Sequence, residues 1–182
     1  MKKYFIFIFI ILFTNKVLAS SKEKIIKNFD NIQNLSFNFE QNINGKIENG
    51  KCQLEYPKKI FCEYDKKNKK KLVSNGRSLV IKTTNSFYIY PIEKTPLNLI
   101  LDKKYLISKI KKLDQKIEND KYINFNFIDN ENEINIFFDK NNYNLIGWQT
   151  IDIYQNLSIT YLSSIKKNQK IKKNLFQLPS QN

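Results

Sequence analysis

The side chains best suited to chemistry in this chain are two cysteines, because the 182 residues include no histidine. Without histidine, the sequence lacks the commonest general base and the commonest zinc ligand. It also contains no glycine-rich phosphate loop, nucleophile elbow or C-x-x-C motif. The acidic residues are scattered, so only the fold could bring a catalytic carboxylate pair together. We therefore expect a non-enzyme with no cofactor and no metal site, and we keep a secreted hydrolase as an alternative.

The two cysteines, Cys52 and Cys62, lie five positions on either side of Pro57. If the flanking segments pair as a hairpin, the cysteines face each other across the strand ladder. An oxidising, exported compartment would favour a disulfide between them, whereas two buried free thiols are the alternative. Redox enzymes use closer spacing, so in either case we expect a structural role.

The first residues have the pattern of an export signal. Lys2 and Lys3 precede the apolar run Tyr4–Phe13, and Val17-Leu18-Ala19 matches a signal-peptidase site. The alternative is an uncleaved membrane anchor, but the run is about half of the roughly 20 residues that a spanning helix needs. We predict that residues 1–19 are cleaved and that residues 20–182 form one domain.

The formal net charge of +14 raises the question of nucleic-acid binding. Arg77 is the only arginine, however, and lysine is a poor substitute for the bidentate contacts that arginine makes with phosphates and bases. The lysine-rich composition also fits an AT-rich genome. We therefore expect a charged surface compatible with export and no nucleic-acid partner, and attraction to an anionic membrane surface or an acidic partner is the alternative.

Hydrophobic periodicity predicts a helix followed by a long series of strands. Residues 21–34 have one apolar helical face, and alternation with period two begins at Leu35. About ten short strands follow, interrupted by a helix that we expect to start at Thr95-Pro96. Three Asn-Gly pairs predict hairpin turns: Asn44-Gly45, Asn49-Gly50 and Asn75-Gly76. A β-bulge is expected near Gly147, and a last strand at Leu175–Leu178.

Several short motifs recur in an order that resembles the LolA family of periplasmic lipoprotein carriers. The motifs are Phe39-x-Gln41, Gly50, Tyr56-Pro57, Val73-Ser74-Asn75-Gly76, Thr95-Pro96-Leu97, Gly147-Trp148 and Phe176-x-Leu178-Pro179. The resemblance implies a mainly β fold, namely an incomplete antiparallel barrel of about ten or eleven strands. An N-terminal amphipathic helix and short central helices would form a lid over an apolar cavity.

The same resemblance implies a function, with its partners and location. The protein would be a monomer in the periplasm of a Gram-negative bacterium. It would shield the acyl chains of lipoproteins that it receives from an inner-membrane ABC transporter and delivers to an outer-membrane acceptor. The alternative on the same fold is a periplasmic sensor or scaffold that binds a signalling protein and transfers no lipid.

Site residues follow from placing the aromatic and lid positions on this fold. The expected acyl-binding cavity residues are Phe37, Phe39, Phe61, Tyr88, Phe125, Phe127 and Trp148. The expected lid and lid-contact residues are Ile25, Phe29, Tyr56, Leu97, Ile100 and Leu101. A packed core without a cavity is the alternative, because sequence does not separate a filled barrel from a hollow one.

One position departs from the pattern of the family. LolA proteins usually carry an arginine immediately before the proline of the turn, and that arginine ties the lid to the barrel. Here the position is Tyr56. A tyrosine hydroxyl can donate one hydrogen bond to a lid carbonyl but carries no charge, so we expect lid closure to be weaker or to rest on apolar contact.

Overall fold

The computed structural model describes residues 20–65, 69–118, 121–129, 131–151 and 156–181. The predicted signal peptide lies outside these residues. The described part contains three α-helices: α1 (Ser21–Asp30), α2 (Leu97–Leu101) and α3 (Lys103–Lys112), with a 3₁₀ turn at Ile92–Lys94. None of these helices combines the length and hydrophobicity that crossing a bilayer requires.

Eleven strands in the described residues form one antiparallel sheet. They are β1 (Asn34–Ile43), β2 (Lys46–Glu55), β3 (Lys59–Tyr64), β4 (Lys71–Asn75), β5 (Ser78–Lys82), β6 (Phe87–Pro91), β7 (Lys116–Glu118), β8 (Tyr122–Asp129), β9 (Asn132–Asp139), β10 (Leu145–Ile151) and β11 (Leu157–Lys167). Their order is β6-β5-β4-β3-β2-β1-β11-β10-β9-β8-β7. The edge strands β6 and β7 do not pair in this part of the chain, so the structure confirms the open antiparallel barrel.

Helix α1 starts at a capping box that its sequence encodes. The backbone N–H of Glu23 donates to the Ser20 hydroxyl at 3.2 Å, and the Ser20 N–H donates to the Glu23 carboxylate at 2.9 Å. These two bonds satisfy donors that a helix start would otherwise leave unpaired. The helix ends at Asp30, four residues earlier than the periodicity predicts.

The helices fill one half of the barrel. Phe29 of α1 inserts against Phe138 of β9, and Phe138 packs edge-on against Phe125 of β8. All three rings are less than 2% exposed. Helix α3 adds Leu106 and Ile110, which are both fully buried. This half of the molecule, formed by α1, α3 and β7–β9, is a packed core, and we call it the filled half.

Helix α3 is fixed to the filled half by polar contacts as well. The Tyr105 hydroxyl donates to the Asp129 carboxylate, and Lys109 Nζ lies 3.1 Å from the same group. On the other side, Lys103 Nζ donates to the carbonyls of Asp30 and Ile32 at 2.6 and 2.8 Å. Helix α3 therefore bridges α1 and β8.

Local features of the sheet differ from the sequence predictions in two places. Asn49-Gly50 is no turn but lies inside β2, where a Cβ on Gly50 would stand 2.2 Å from the Glu63 carbonyl and 2.8 Å from the Phe39 ring. The glycine thus permits a close approach between strands. The predicted strand at Leu175–Leu178 is wrong, because the chain there makes a turn. The bulge expected near Gly147 does occur, between Leu145 and Gly147.

Candidate ligand-binding cavity

The other half of the barrel is hollow. A cavity of about 680 Å³ lies between the concave face of the sheet and the segment that carries α2. We call this half, formed by β1–β6, β10, β11 and α2, the hollow half. The volume falls within the range of about 300–1,000 Å³ that is typical of ligand pockets in proteins.

Strand alternation explains which side chains line the cavity. Phe37 and Phe39 are inward residues of β1, and Trp148 is an inward residue of β10. All three are at most 6% exposed. Because β1 lies at the middle of the sheet, next to β11, its two rings form the back wall of the cavity.

The disulfide belongs to the same wall. Cys52 and Cys62 are directly opposed in the β2–β3 ladder and are bonded to each other. Both point inward and contact the cavity. The bond therefore presents an apolar surface to the cavity while it links two adjacent wall strands.

The lid consists of α2 and the segment before it. Leu97 and Ile100 face the cavity, whereas Leu101 is fully buried and is not among the lining residues. Thr95 does not cap the helix, because its hydroxyl donates to the Ile92 carbonyl at 2.8 Å. Pro96 occupies the N-cap position and makes no side-chain cap.

The lid is joined to the β2–β3 turn by Lys58, not by Tyr56. The backbone N–H of Lys58 donates to the Leu101 carbonyl at 3.0 Å, and Lys58 Nζ lies 3.5 Å from Asp102. The Tyr56 hydroxyl is buried and has no hydrogen-bond partner among the described residues. Burial raises the pKa of Tyr56 well above its usual value, so the hydroxyl stays protonated. Among the described residues, Tyr56 therefore makes no hydrogen bond to the lid.

Four of the expected cavity residues do not line the cavity. Phe61 has outward parity in β3, and its ring lies 5.8 Å from Lys71 Nζ on the convex side. Phe125 and Phe127 face inward but pack in the filled half. Tyr88 pairs with Ile81 near the sheet edge, where it stacks on Tyr90 and remains 52% exposed.

The expected lid contacts of α1 also lie elsewhere. Ile25 and Phe29 are buried, but neither borders the cavity. Phe29 instead packs edge-on against Tyr56, with ring centroids 5.7 Å apart. Helix α1 thus belongs to the filled half and is not part of the lid over the cavity.

Sequence reasoning missed several wall residues that are not aromatic. Ile60, Leu72, Leu79 and Ile81 line the cavity. The signal for Ile60 was present, because it shares the parity of Cys62 and opposes that of Phe61. Ile60 was not predicted, because all the expected cavity residues were aromatic.

One end of the cavity is polar, which differs from the fully apolar cavity that we expected. Gln41, Thr150, Ser158 and Thr160 line the wall on β1, β10 and β11. These four residues lie toward the β1–β2 turn, at the far end of β1 and β2 from the β2–β3 turn that holds the lid. We refer to them as the polar band.

A protein-family model described as "Outer membrane lipoprotein carrier protein LolA" matches residues 30–179. The chain belongs to the LolA family. The description of the family model is that of a carrier of outer-membrane lipoproteins. No protein of curated function matches the sequence significantly.

Solved structures share the fold at very low sequence identity. A conserved protein from Thermus thermophilus is 7% identical, with 90% of this chain and 96% of that chain covered at a TM-score of 0.53. A chain of the MucA/MucB complex of Pseudomonas aeruginosa is 10% identical, with 88% and 62% covered and a TM-score of 0.50. A LolA-superfamily protein from Nitrosomonas europaea is 8% identical, with 88% and 99% covered and a TM-score of 0.45.

Proposed function

We propose that this LolA-family protein is a periplasmic carrier that shields the acyl chains of lipoproteins in the cavity of the hollow half. It would receive them from an inner-membrane ABC transporter and pass them to an outer-membrane acceptor. The observation that carries the proposal is the cavity itself, in which Phe37, Phe39 and Trp148 form a wall and Leu97 and Ile100 form a cover. The family match supports the choice of cargo.

The energetics of such a carrier follow from burial of hydrocarbon. Each methylene removed from water contributes about 0.8 kcal/mol, so an acyl chain cannot cross an aqueous space unshielded at useful rates. Binding of the hydrocarbon part is non-directional, because it depends on the apolar area buried and not on specific contacts. A neighbouring protein with a more complementary cavity can therefore take the chain over.

Entry of an acyl chain requires the lid to move, so the contacts that hold the lid set the cost of opening it. Helix α2 has only five residues, and the Lys58 N–H to Leu101 carbonyl bond joins it to the β2–β3 turn. The Lys58–Asp102 ion pair is about 30% exposed on both sides, so it contributes little. Apolar burial of the α2 side chains, with Ile100 and Leu101 at most 1% exposed, then provides most of the closing force.

The test places a charge on the lid. Leu97→Glu should leave the fold intact, because Leu97 is only half-buried and the lid can swing its carboxylate into water. Closure over an acyl chain would bury that carboxylate without a partner, which costs several kcal/mol. The matched control is Leu157→Glu, which replaces a 37% exposed leucine at the outward-facing start of β11.

The assay measures release of an acylated lipoprotein from inner-membrane vesicles that contain the transporter and ATP. Wild type and Leu157→Glu should release the lipoprotein into the supernatant, and Leu97→Glu should not. The carrier proposal fails if folded wild-type protein releases none, or if Leu97→Glu releases as much as wild type.

A scaffold is the second candidate, and the exposed edge strand β6 favours it. Tyr88, Ile89 and Tyr90 are between 43% and 58% exposed there, and an open strand edge can pair with an extended segment of another protein. The likeness in fold to a chain of the MucA/MucB complex agrees with such a role. The release assay separates the two candidates, because a scaffold would release no lipoprotein.

A further inference from the structure

The polar band is built into the sheet as two neighbouring rows. Gln41 is the ladder partner of Thr160, and Thr160 is in turn the partner of Trp148. One step toward the β1–β2 turn, Ser158 is the partner of Thr150. Because ladder partners on one face are close neighbours, the four polar side chains form a continuous patch beside Trp148.

The polar band is held together by hydrogen bonds from one amide. Gln41 Nε2 donates to the hydroxyl oxygens of Ser158 and Thr160, both at 3.2 Å. The Tyr64 hydroxyl donates to Gln41 Oε1 at 3.4 Å. A hydroxyl that accepts a hydrogen bond keeps its own proton to donate. Ser158 and Thr160 thus retain O–H groups with which they can bind an acceptor in the cavity.

The surroundings of the polar band are electrically balanced. Glu48, the ladder partner of Gln41, faces inward and is only 4% exposed, and its carboxylate lies 2.5 Å from Lys70 Nζ. Burial, with a contribution from Glu48, raises the pKa of Tyr64 well above its usual value, so Tyr64 remains a neutral donor. Among the described residues that line the cavity, Lys94 alone is charged, and its side chain is exposed on the lid segment.

We infer that the polar band binds the uncharged ester or amide carbonyls through which acyl chains are attached to a larger molecule. The ligand is then a neutral acyl ester or amide, held with its chains in the apolar part and its carbonyls against Ser158 and Thr160. A carboxylate at the same place would have to be desolvated without a cation beside it, which is costly. This inference rests on the proposed function and specifies the ligand more closely.

The experiment compares three ligands with the same acyl chain: a methyl ester, the free fatty acid and the plain hydrocarbon. Each competes with a fluorescent apolar probe for the purified mature protein at pH 7. The variants are Gln41→Leu and Thr160→Val, which remove hydrogen-bonding groups at nearly constant volume. Gln149→Leu is the matched control, because Gln149 lies on β10 with outward parity next to Trp148.

The wild type should bind the ester more tightly than the hydrocarbon and the acid. Thr160→Val should weaken ester binding about two- to tenfold, as expected for the loss of a single hydrogen bond. Gln41→Leu should also weaken it, because the hydroxyls of Ser158 and Thr160 lose the amide that orients them. Hydrocarbon binding should change less than ester binding in both variants, and Gln149→Leu should match the wild type. Thr160→Val keeps the test valid if Gln41→Leu fails to fold.

The alternative outcomes separate this inference from the proposed function. Equal binding of ester and hydrocarbon, or equal ester binding by Thr160→Val and wild type, would overturn the role of the polar band and leave the acyl cavity intact. Preference for the free acid that is lost in Lys94→Gln would overturn it in favour of a carboxylate site. Failure of the folded wild type to bind any of the three ligands would reject the acyl cavity, and the inference with it.

Discussion

The two halves of this barrel share one sheet but differ in what covers its concave face. In the filled half, Phe29, Phe125 and Phe138 interlock under two ten-residue helices, and each ring is less than 2% exposed. In the hollow half, the five-residue helix α2 covers a cavity of about 680 Å³. The strands of both halves carry the same kind of apolar alternation. The covering helices differ in length and in what they insert. Helix α1 inserts Phe29 into the filled half, whereas the short helix α2 leaves a cavity beneath it.

This difference would allow stability and the proposed ligand binding to reside in separate parts of one barrel. A packed core gains dispersion contacts on all sides of each ring, whereas a wall residue has no partner atoms on the cavity side. The filled half can therefore stabilise the fold while the hollow half keeps space for a ligand. The following changes should affect the two halves unequally.

The largest expected difference is between Phe138→Ala and Phe37→Ala. Phe138 is fully buried between two other rings, so its truncation should lower the free energy of unfolding by about 3–5 kcal/mol. Phe37 already borders a cavity, and its truncation should cost clearly less. Urea denaturation followed by far-UV circular dichroism measures both values. Equal losses would mean that the two halves are equally packed.

Removal of the disulfide should have the next largest effect, and a local one. The Cys52→Ala/Cys62→Ala variant should lose about 2–3 kcal/mol, since the bond closes a short loop in the unfolded chain. Amide hydrogen exchange should rise more in β2 and β3 than in β8 and β9. A uniform rise across the sheet would contradict the separation into halves. Linkage of the two cysteines in non-reducing peptide maps is the control.

The smallest expected effect concerns Tyr56, at the junction of the two halves. Tyr56→Phe removes a buried hydroxyl that has no hydrogen-bond partner among the described residues, so stability at pH 7 should change by less than about 1 kcal/mol. A loss of more than about 2 kcal/mol would show that the hydroxyl has a partner in solution.

The alkaline pH dependence of stability provides a second test of Tyr56. Burial raises the pKa of Tyr56 and of Tyr64 in the folded state, whereas both titrate near pH 10 when unfolded. Their contribution is fully present below about pH 10, and it is lost as the pH rises toward the folded pKa. Wild-type stability should therefore fall above about pH 10. Tyr56→Phe should show a shallower fall, and identical slopes would contradict burial of the hydroxyl.

The sheet was largely predictable from sequence, because each strand depends on local alternation and turn residues. The cavity was less predictable from sequence, because Phe37 and Phe125 both have inward parity but lie in different halves. Parity identifies the face of a strand, not what lies above it. The positions of α1 and α3 over β8 and β9 decide that, and they depend on contacts such as Phe29–Phe138 that are distant in sequence.

The roles of Gly50 and of the polar band were also not predicted from sequence. Asn49-Gly50 has the composition of a hairpin turn, yet Gly50 serves the close approach of Glu63 and Phe39 within β2. The polar band was missed because Gln41 and Thr160 are too far apart in sequence for their pairing to be visible. In both cases strand register, which a single sequence does not display, determines the role of the residue.

Quenching of Trp148 fluorescence by a brominated acyl ester tests the hollow half most directly. Trp148 is the only tryptophan of the chain and lies on the cavity wall, so its emission reports on that site alone. We predict saturable quenching at one ligand per protein, lost in Leu97→Glu and retained in Leu157→Glu. Absence of quenching in folded wild-type protein, at concentrations where the ester is soluble, would contradict an acyl-binding cavity.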